Sequence, residues 1–189
     1  MATTRKTKTT VTKSVPITQD NIEENIDDMV VKNTTEKIVP KEIDIHQYIP
    51  VISGVHGKLT YISKKTGEKF SWLDFGEEQD MELQELRNAK GSNKKFFEKN
   101  WFMFNDEYDW VIDYLGVRNF YKHALKIDQF DELFEKSPSE ITKIIKDLSN
   151  GQKRAVGYRA RQLISENAID SLKVIDALEK SLGIELIER

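Results

Sequence analysis

The residues best suited to chemistry lie in Gln152-Lys153-Arg154-Ala155-Val156-Gly157-Tyr158-Arg159-Ala160-Arg161. At helical spacing Arg154, Tyr158 and Arg161 share one face, while Val156, Ala160, Leu163 and Ile164 take the opposite one. A basic face with a ring in it can neutralise phosphate and stack a base. Lys153, Arg154, Tyr158, Arg159 and Arg161 are therefore candidate nucleic-acid contacts. The patch is short and has no RNP motif or GxxG loop beside it, so a solvated helix face pairing with nearby acidic segments is the leading account of it.

Other chemistry has weaker support. Asn105-Asp106-Glu107-Tyr108-Asp109 with Asp113 offers carboxylates to a hard cation, but lacks the alternate spacing and central glycine of a calcium loop; capping and solvation explain it better. His46, His56 and His123 stand apart, with no H-E-x-x-H spacing. Gly54 and Gly57 flank His56 ahead of a strand, not a helix, and so make no phosphate cradle. The chain has no cysteine, which excludes disulfides, thiolate metal sites, iron–sulfur clusters and thiol catalysis, and fits a reducing compartment. An enzyme is the least supported class, and no catalytic, cofactor or metal residue is assigned.

Aromatic residues concentrate in one stretch: Phe96, Phe97, Trp101, Phe102, Phe104, Tyr108, Trp110, Tyr114, Phe120 and Tyr121. Each ring buries about 150–250 Å², enough to nucleate a core. Core packing is the main reading. The alternative leaves Phe96, Phe97, Trp101, Phe102 and Trp110 as interface anchors for another subunit, and sequence spacing does not separate the two.

These side chains need a scaffold, and the chain divides where one begins. No Phe, Tyr or Trp precedes Tyr48. Residues 1–41 are rich in Thr, Lys, Asp and Glu, too poor in apolar surface to offset an ordering cost of about 1–2 kcal/mol per residue. Basic Arg5, Lys6, Lys8 and Lys13 come first, and acidic Asp20, Glu23, Glu24, Asp27 and Asp28 follow. This segment reads as a disordered N-terminal arm, either a solvated leader or one that orders against a neighbouring subunit or nucleic acid. Residues 42–189 read as a single compact α+β domain.

Within that domain Ile43, Ile45, Ile49 and Val51 suggest a short extended stretch closed by Pro50 and Ser53-Gly54. Period-two alternation over 58–63 and 68–72, around Lys64-Lys65-Thr66-Gly67, predicts a β-hairpin. Helices are expected over 77–89 with Gly91 as stop, from an Asp106 cap to Gly116, and over 128–136. Ser137-Pro138-Ser139-Glu140 opens the clearest helix, with Ile141, Ile144, Ile145 and Leu148 on one face and Asn150-Gly151 as its end. Two more run over 152–166 and 171–182, with Gly183 as stop. The fold class is α+β, mainly α: a hairpin or small sheet against about five to six short helices. A formal net charge of −3 argues against a wholly nucleic-acid-binding surface. Residues 1–8 carry positive charge with no apolar run behind them, and no stretch approaches the roughly 20 apolar residues of a membrane span; a soluble protein is expected.

Gly57-Lys58-Leu59-Thr60-Tyr61-Ile62-Ser63-Lys64-Lys65-Thr66-Gly67, Phe75-Gly76-Glu77-Glu78-Gln79-Asp80-Met81-Glu82-Leu83-Gln84-Glu85-Leu86-Arg87-Asn88-Ala89 and Leu178-Glu179-Lys180-Ser181-Leu182-Gly183-Ile184-Glu185-Leu186 resemble a family of small proteins of tailed bacteriophages of Gram-positive and gut hosts. The resemblance spans 43–189 and leaves the arm out. It implies a virion structural or assembly protein without a catalytic role, and it carries over no site residues. The partners it implies are other virion subunits of capsid, neck or tail, or further copies of the chain, with the arm ordering on docking. The implied location is the virion, and the host cytoplasm during assembly. The alternative is a nucleic-acid-binding accessory protein using the helix over 152–166. No membrane or cofactor is expected.

Overall fold

The structure, a computed structural model, describes residues 42–187; the expected N-terminal arm lies outside the described residues. The chain enters β1 (Tyr48–Ser53), makes the expected hairpin from β2 (Leu59–Ile62) and β3 (Lys69–Trp72), and returns as β4 (Glu78–Glu82), which runs directly into α1 (Leu83–Ser92). After α2 (Lys95–Glu98) comes the short β5 (Phe102–Met103), then a 3₁₀ turn at Asp106–Tyr108, α3 (Asp109–Tyr114) and α4 (Arg118–Tyr121). A second 3₁₀ turn, Asp131–Glu135, leads to α5 (Pro138–Asp147), α6 (Asn150–Ser165) and α7 (Leu172–Leu182). The described residues are thus α+β and mainly α, with one three-stranded and one two-stranded antiparallel sheet.

β1 is the central strand of the larger sheet, between β4 and β5. Pro50 sits inside it, opposite Asp80 of β4. Proline is tolerated there because Ser53 N donates to Glu77 O and Gln47 O accepts from Leu83 N, so the odd-numbered residues of β1 bond β4. The missing N–H of Pro50 faces the other side, where β5 pairs only with Ile52 and Ser53.

Apolar side chains gather in two clusters. The first joins the sheets to α1–α4 around Tyr61, Trp72, Phe96, Phe97, Phe102 and Trp110. Two of its buried polar groups are satisfied internally: Trp72 Nε1 donates to Val51 O at 2.8 Å, and Tyr61 Oη to the buried Glu85 carboxylate at 2.6 Å. The second is helical, with Phe130, Leu133, Ile141, Ile145, Val156, Ile175 and Leu178 among its members. Full burial of each large aliphatic is worth about 1.5–3 kcal/mol.

The two clusters meet at α6. Ser149 Oγ donates to Lys99 O at 3.2 Å, and the buried Gln152 side chain clamps Leu125, accepting from its N–H at 3.0 Å and donating to its carbonyl at 2.8 Å. Gly151 permits this approach, since a Cβ at 151 would overlap the Lys99 carbonyl. Phe75, from the loop between β3 and β4, packs into the second cluster against Phe130, ring centroids 4.7 Å apart.

Several sequence expectations need correction. The helix expected over 77–89 is a strand for its first part, because the backbone of Glu78–Glu82 pairs with β1 and the helix starts only at Leu83; Gly91 lies inside that helix, not beyond it. Asp106 makes no side-chain cap; it belongs to a 3₁₀ turn ahead of α3. Asn150-Gly151 does not end α5, which stops at Asp147, but opens α6 behind the N-cap Ser149. Among the described residues no helix is long and apolar enough to cross a membrane.

Candidate functional site

Ser149 caps the start of the 16-residue α6 by accepting from Gln152 N at 3.2 Å. Lys153, Arg154, Tyr158 and Arg161 line one side of an open groove of about 530 Å³ there. Lys99, from the turn after α2, adds a fourth cation, and Leu182 and Ile184 close the far side. The apolar wall sits close because residue 157 is glycine; a Cβ there would stand 2.8 Å from Ile184 Cδ1. The cations meet backbone oxygens: Lys153 Nζ donates to Lys146 O at 3.2 Å and Arg161 Nη2 to Glu185 O at 3.0 Å. Their charge is therefore not cancelled by these contacts, and the groove is electropositive with an apolar floor.

Of the five basic-helix candidates the structure brings four together and removes one. Arg159 points away from the groove and holds Asp131 through both carboxylate oxygens, Nε to Oδ1 at 2.9 Å. That pairing raises the Arg159 pKa and lowers that of Asp131. Tyr158 is 57 % exposed. One face of its ring stacks on His56 at 4.6 Å and an interplanar angle of 19°, and His56 in turn stacks on Phe75 at 4.6 Å.

His56 borders a second cavity, about 300 Å³, shared with Asp74, Phe130, Asp131, Arg159 and Gln162. Its chemistry is limited by geometry. Nδ1 lies 3.7 Å from Asp74 Oδ1, beyond hydrogen-bonding distance, and that oxygen already accepts from Gly57 N at 2.8 Å and Phe75 N at 2.7 Å. Nε2 is buried and has no hydrogen-bond partner among the described residues. Neither nitrogen is set up to relay a proton, and His56 serves as the middle ring of a stack between Phe75 and Tyr158 of α6.

The acidic run is neutralised by side chains that the sequence spacing did not single out. Arg118 reaches both Asp109, Nη1 to Oδ1 at 2.6 Å, and Asp113, Nε to Oδ1 at 2.7 Å, while Lys126 pairs with Asp106. The two carboxylates raise the Arg118 pKa. Among the described residues no group of three or more His, Asp or Glu is placed to hold a metal ion.

The aromatic candidates are covered by the chain's own fold. Phe96, Phe97, Phe102 and Trp110 are 6 % exposed or less, which corrects the alternative that made them surface anchors. Phe96 and Phe97 pack on Phe102, with Phe96 4.7 Å from it, Phe96 and Phe102 both meet Tyr61, and Trp110 meets Tyr114. Trp101 is half-buried and packs edge-on to Phe96 at 5.4 Å. Lys99, Leu182 and Ile184 were missed as groove residues because they come from distant parts of the chain; Gly157 was the one local hint of a close approach to α6. Comparison of the chain with protein-family models, with curated proteins and with solved structures finds no match.

Proposed function

We propose that this chain is a structural or assembly subunit of a tailed-bacteriophage virion, acting by docking to other virion subunits. The phage context rests on the sequence resemblance over 43–189. The observation that carries the docking role is the groove on α6: four cations around an apolar floor of Leu182 and Ile184, beside the exposed ring of Tyr158. A cationic rim fixes orientation and steers encounter, and the apolar floor supplies the burial that a stable contact needs. Such a surface suits a partner segment that is both acidic and partly apolar. The test is the protein inventory of purified particles together with a deletion phage. The chain should be found in the particles, and its loss should impair their assembly; absence from the particles together with normal assembly without it would end this reading.

A second reading is favoured by one feature, the position of Tyr158 beside Lys153 and Arg154. A nucleic-acid-binding accessory protein would place bases on that ring and phosphates on Lys99, Lys153, Arg154 and Arg161. Neutralising about four phosphates gives a log–log salt slope of about −3 to −4. Binding that is undetectable at low salt, or a slope unchanged in Arg154→Ala with Arg161→Ala, removes it.

A further inference from the structure

We infer that the groove on α6 receives the acidic N-terminal segment of a second copy of this chain, an inference that rests on the assembly reading above. The segment is Asp20-Asn21-Ile22-Glu23-Glu24-Asn25-Ile26-Asp27-Asp28-Met29-Val30-Val31. Its acidic block answers the sign of the groove, which Lys99, Lys153, Arg154 and Arg161 line. The layout matches as well as the charge. Ile22, Ile26, Met29 and Val30 recur at i, i+4, i+7 and i+8, a spacing that in a helix gathers them on one face, with Glu23 and Asp27 along its border and Asp20, Glu24 and Asp28 opposite.

Laid on Leu182 and Ile184, that apolar face brings the border carboxylates to the cationic rim, the helix-in-groove mode of peptide recognition. The rim can respond. Lys153 and Arg161 are engaged with the carbonyls of Lys146 and Glu185, neutral acceptors that a carboxylate outcompetes. Segment and groove are different surfaces, so the contact is heterologous: each copy offers a segment to one neighbour and a groove to another, and repetition builds a ring or an open array.

The test uses the full chain, freed of nucleic acid by nuclease, in sedimentation velocity at low salt over a concentration series. Self-association is expected, and weakens about tenfold or more either on Lys153→Glu with Arg154→Glu in the groove or on Glu23→Lys with Asp27→Lys in the segment. All four reversals in one chain restore it, since the signs are then exchanged. Circular dichroism and melting temperature of each variant verify the fold, and both groove positions carry side chains at the surface or half-buried. A chain that is monomeric at every concentration, or whose association ignores both single-side variants, overturns the inference. So does nucleic acid that co-purifies with the wild type and is lost in Lys153→Glu with Arg154→Glu, because the groove then serves that ligand. A chain present in virions yet monomeric defeats this inference alone; absence from virions defeats the assembly reading whatever the sedimentation shows.

Discussion

Ile145 is wholly buried in the helical cluster, whereas Ile144, its neighbour on α5, is only half-buried; the helical spacing alone had suggested that both would be inside. Removing buried methylenes costs their transfer free energy plus the cavity left behind, so Ile145→Ala should lose about 2–5 kcal/mol in chemical denaturation and Ile144→Ala distinctly less. Equal losses would place the α5 face differently. His56 offers a second test at this scale. Its side chain is 10 % exposed, and burial lowers its pKa below the ordinary 6.5; Asp74 and Asp131 oppose that shift and Arg159 reinforces it. The folded state therefore takes up the proton less readily than the unfolded one. Stability should be level above about pH 6.5 and fall as pH drops from there toward the lower folded value. His56→Phe keeps a ring between Phe75 and Tyr158 and should flatten that slope; an unchanged slope would show that another group causes it.

At the scale of elements, α5 and β4 show what the sequence could and could not reveal. The start of α5 is written locally: Ser137 Oγ accepts from Glu140 N at 3.4 Å, Ser137 N donates to Glu140 Oε2 at 3.1 Å, and Pro138 takes the first helical position. Everything needed lies within four residues, so the motif was readable, and Ser137→Ala should destabilise the protein by about 1 kcal/mol in thermal or chemical unfolding. No change would mean that the cap is formed but idle. β4 is the contrary case. Glu78-Gln79-Asp80-Met81-Glu82 has no β-branched residue and one buried side chain, Met81, and its composition suits a helix. Its strand conformation comes from pairing with β1, a contact with no local trace. Asn150-Gly151 misled for a related reason: glycine is there for the Lys99 carbonyl, a neighbour far away in sequence, and not to stop a helix.

For the whole molecule, the fold class and the basic face of α6 were legible because both follow from periodicity within single segments. The groove was not, since Lys99 and Ile184 reach it only when the two clusters meet. Residues 1–41 carry no aromatic and few apolar side chains, so deleting them should move the melting temperature by less than about 2 °C, the equivalent of under ~1 kcal/mol in a domain of this size. Loss should appear in assembly instead, and a drop of several degrees would show that the folded domain depends on that segment. The central claim, a docking subunit of a phage particle, is tested most directly by quantitative mass spectrometry of purified virions. The account predicts this chain in the particles at a stoichiometry that repeats from one preparation to the next. Its absence from particles that infect normally would contradict the account.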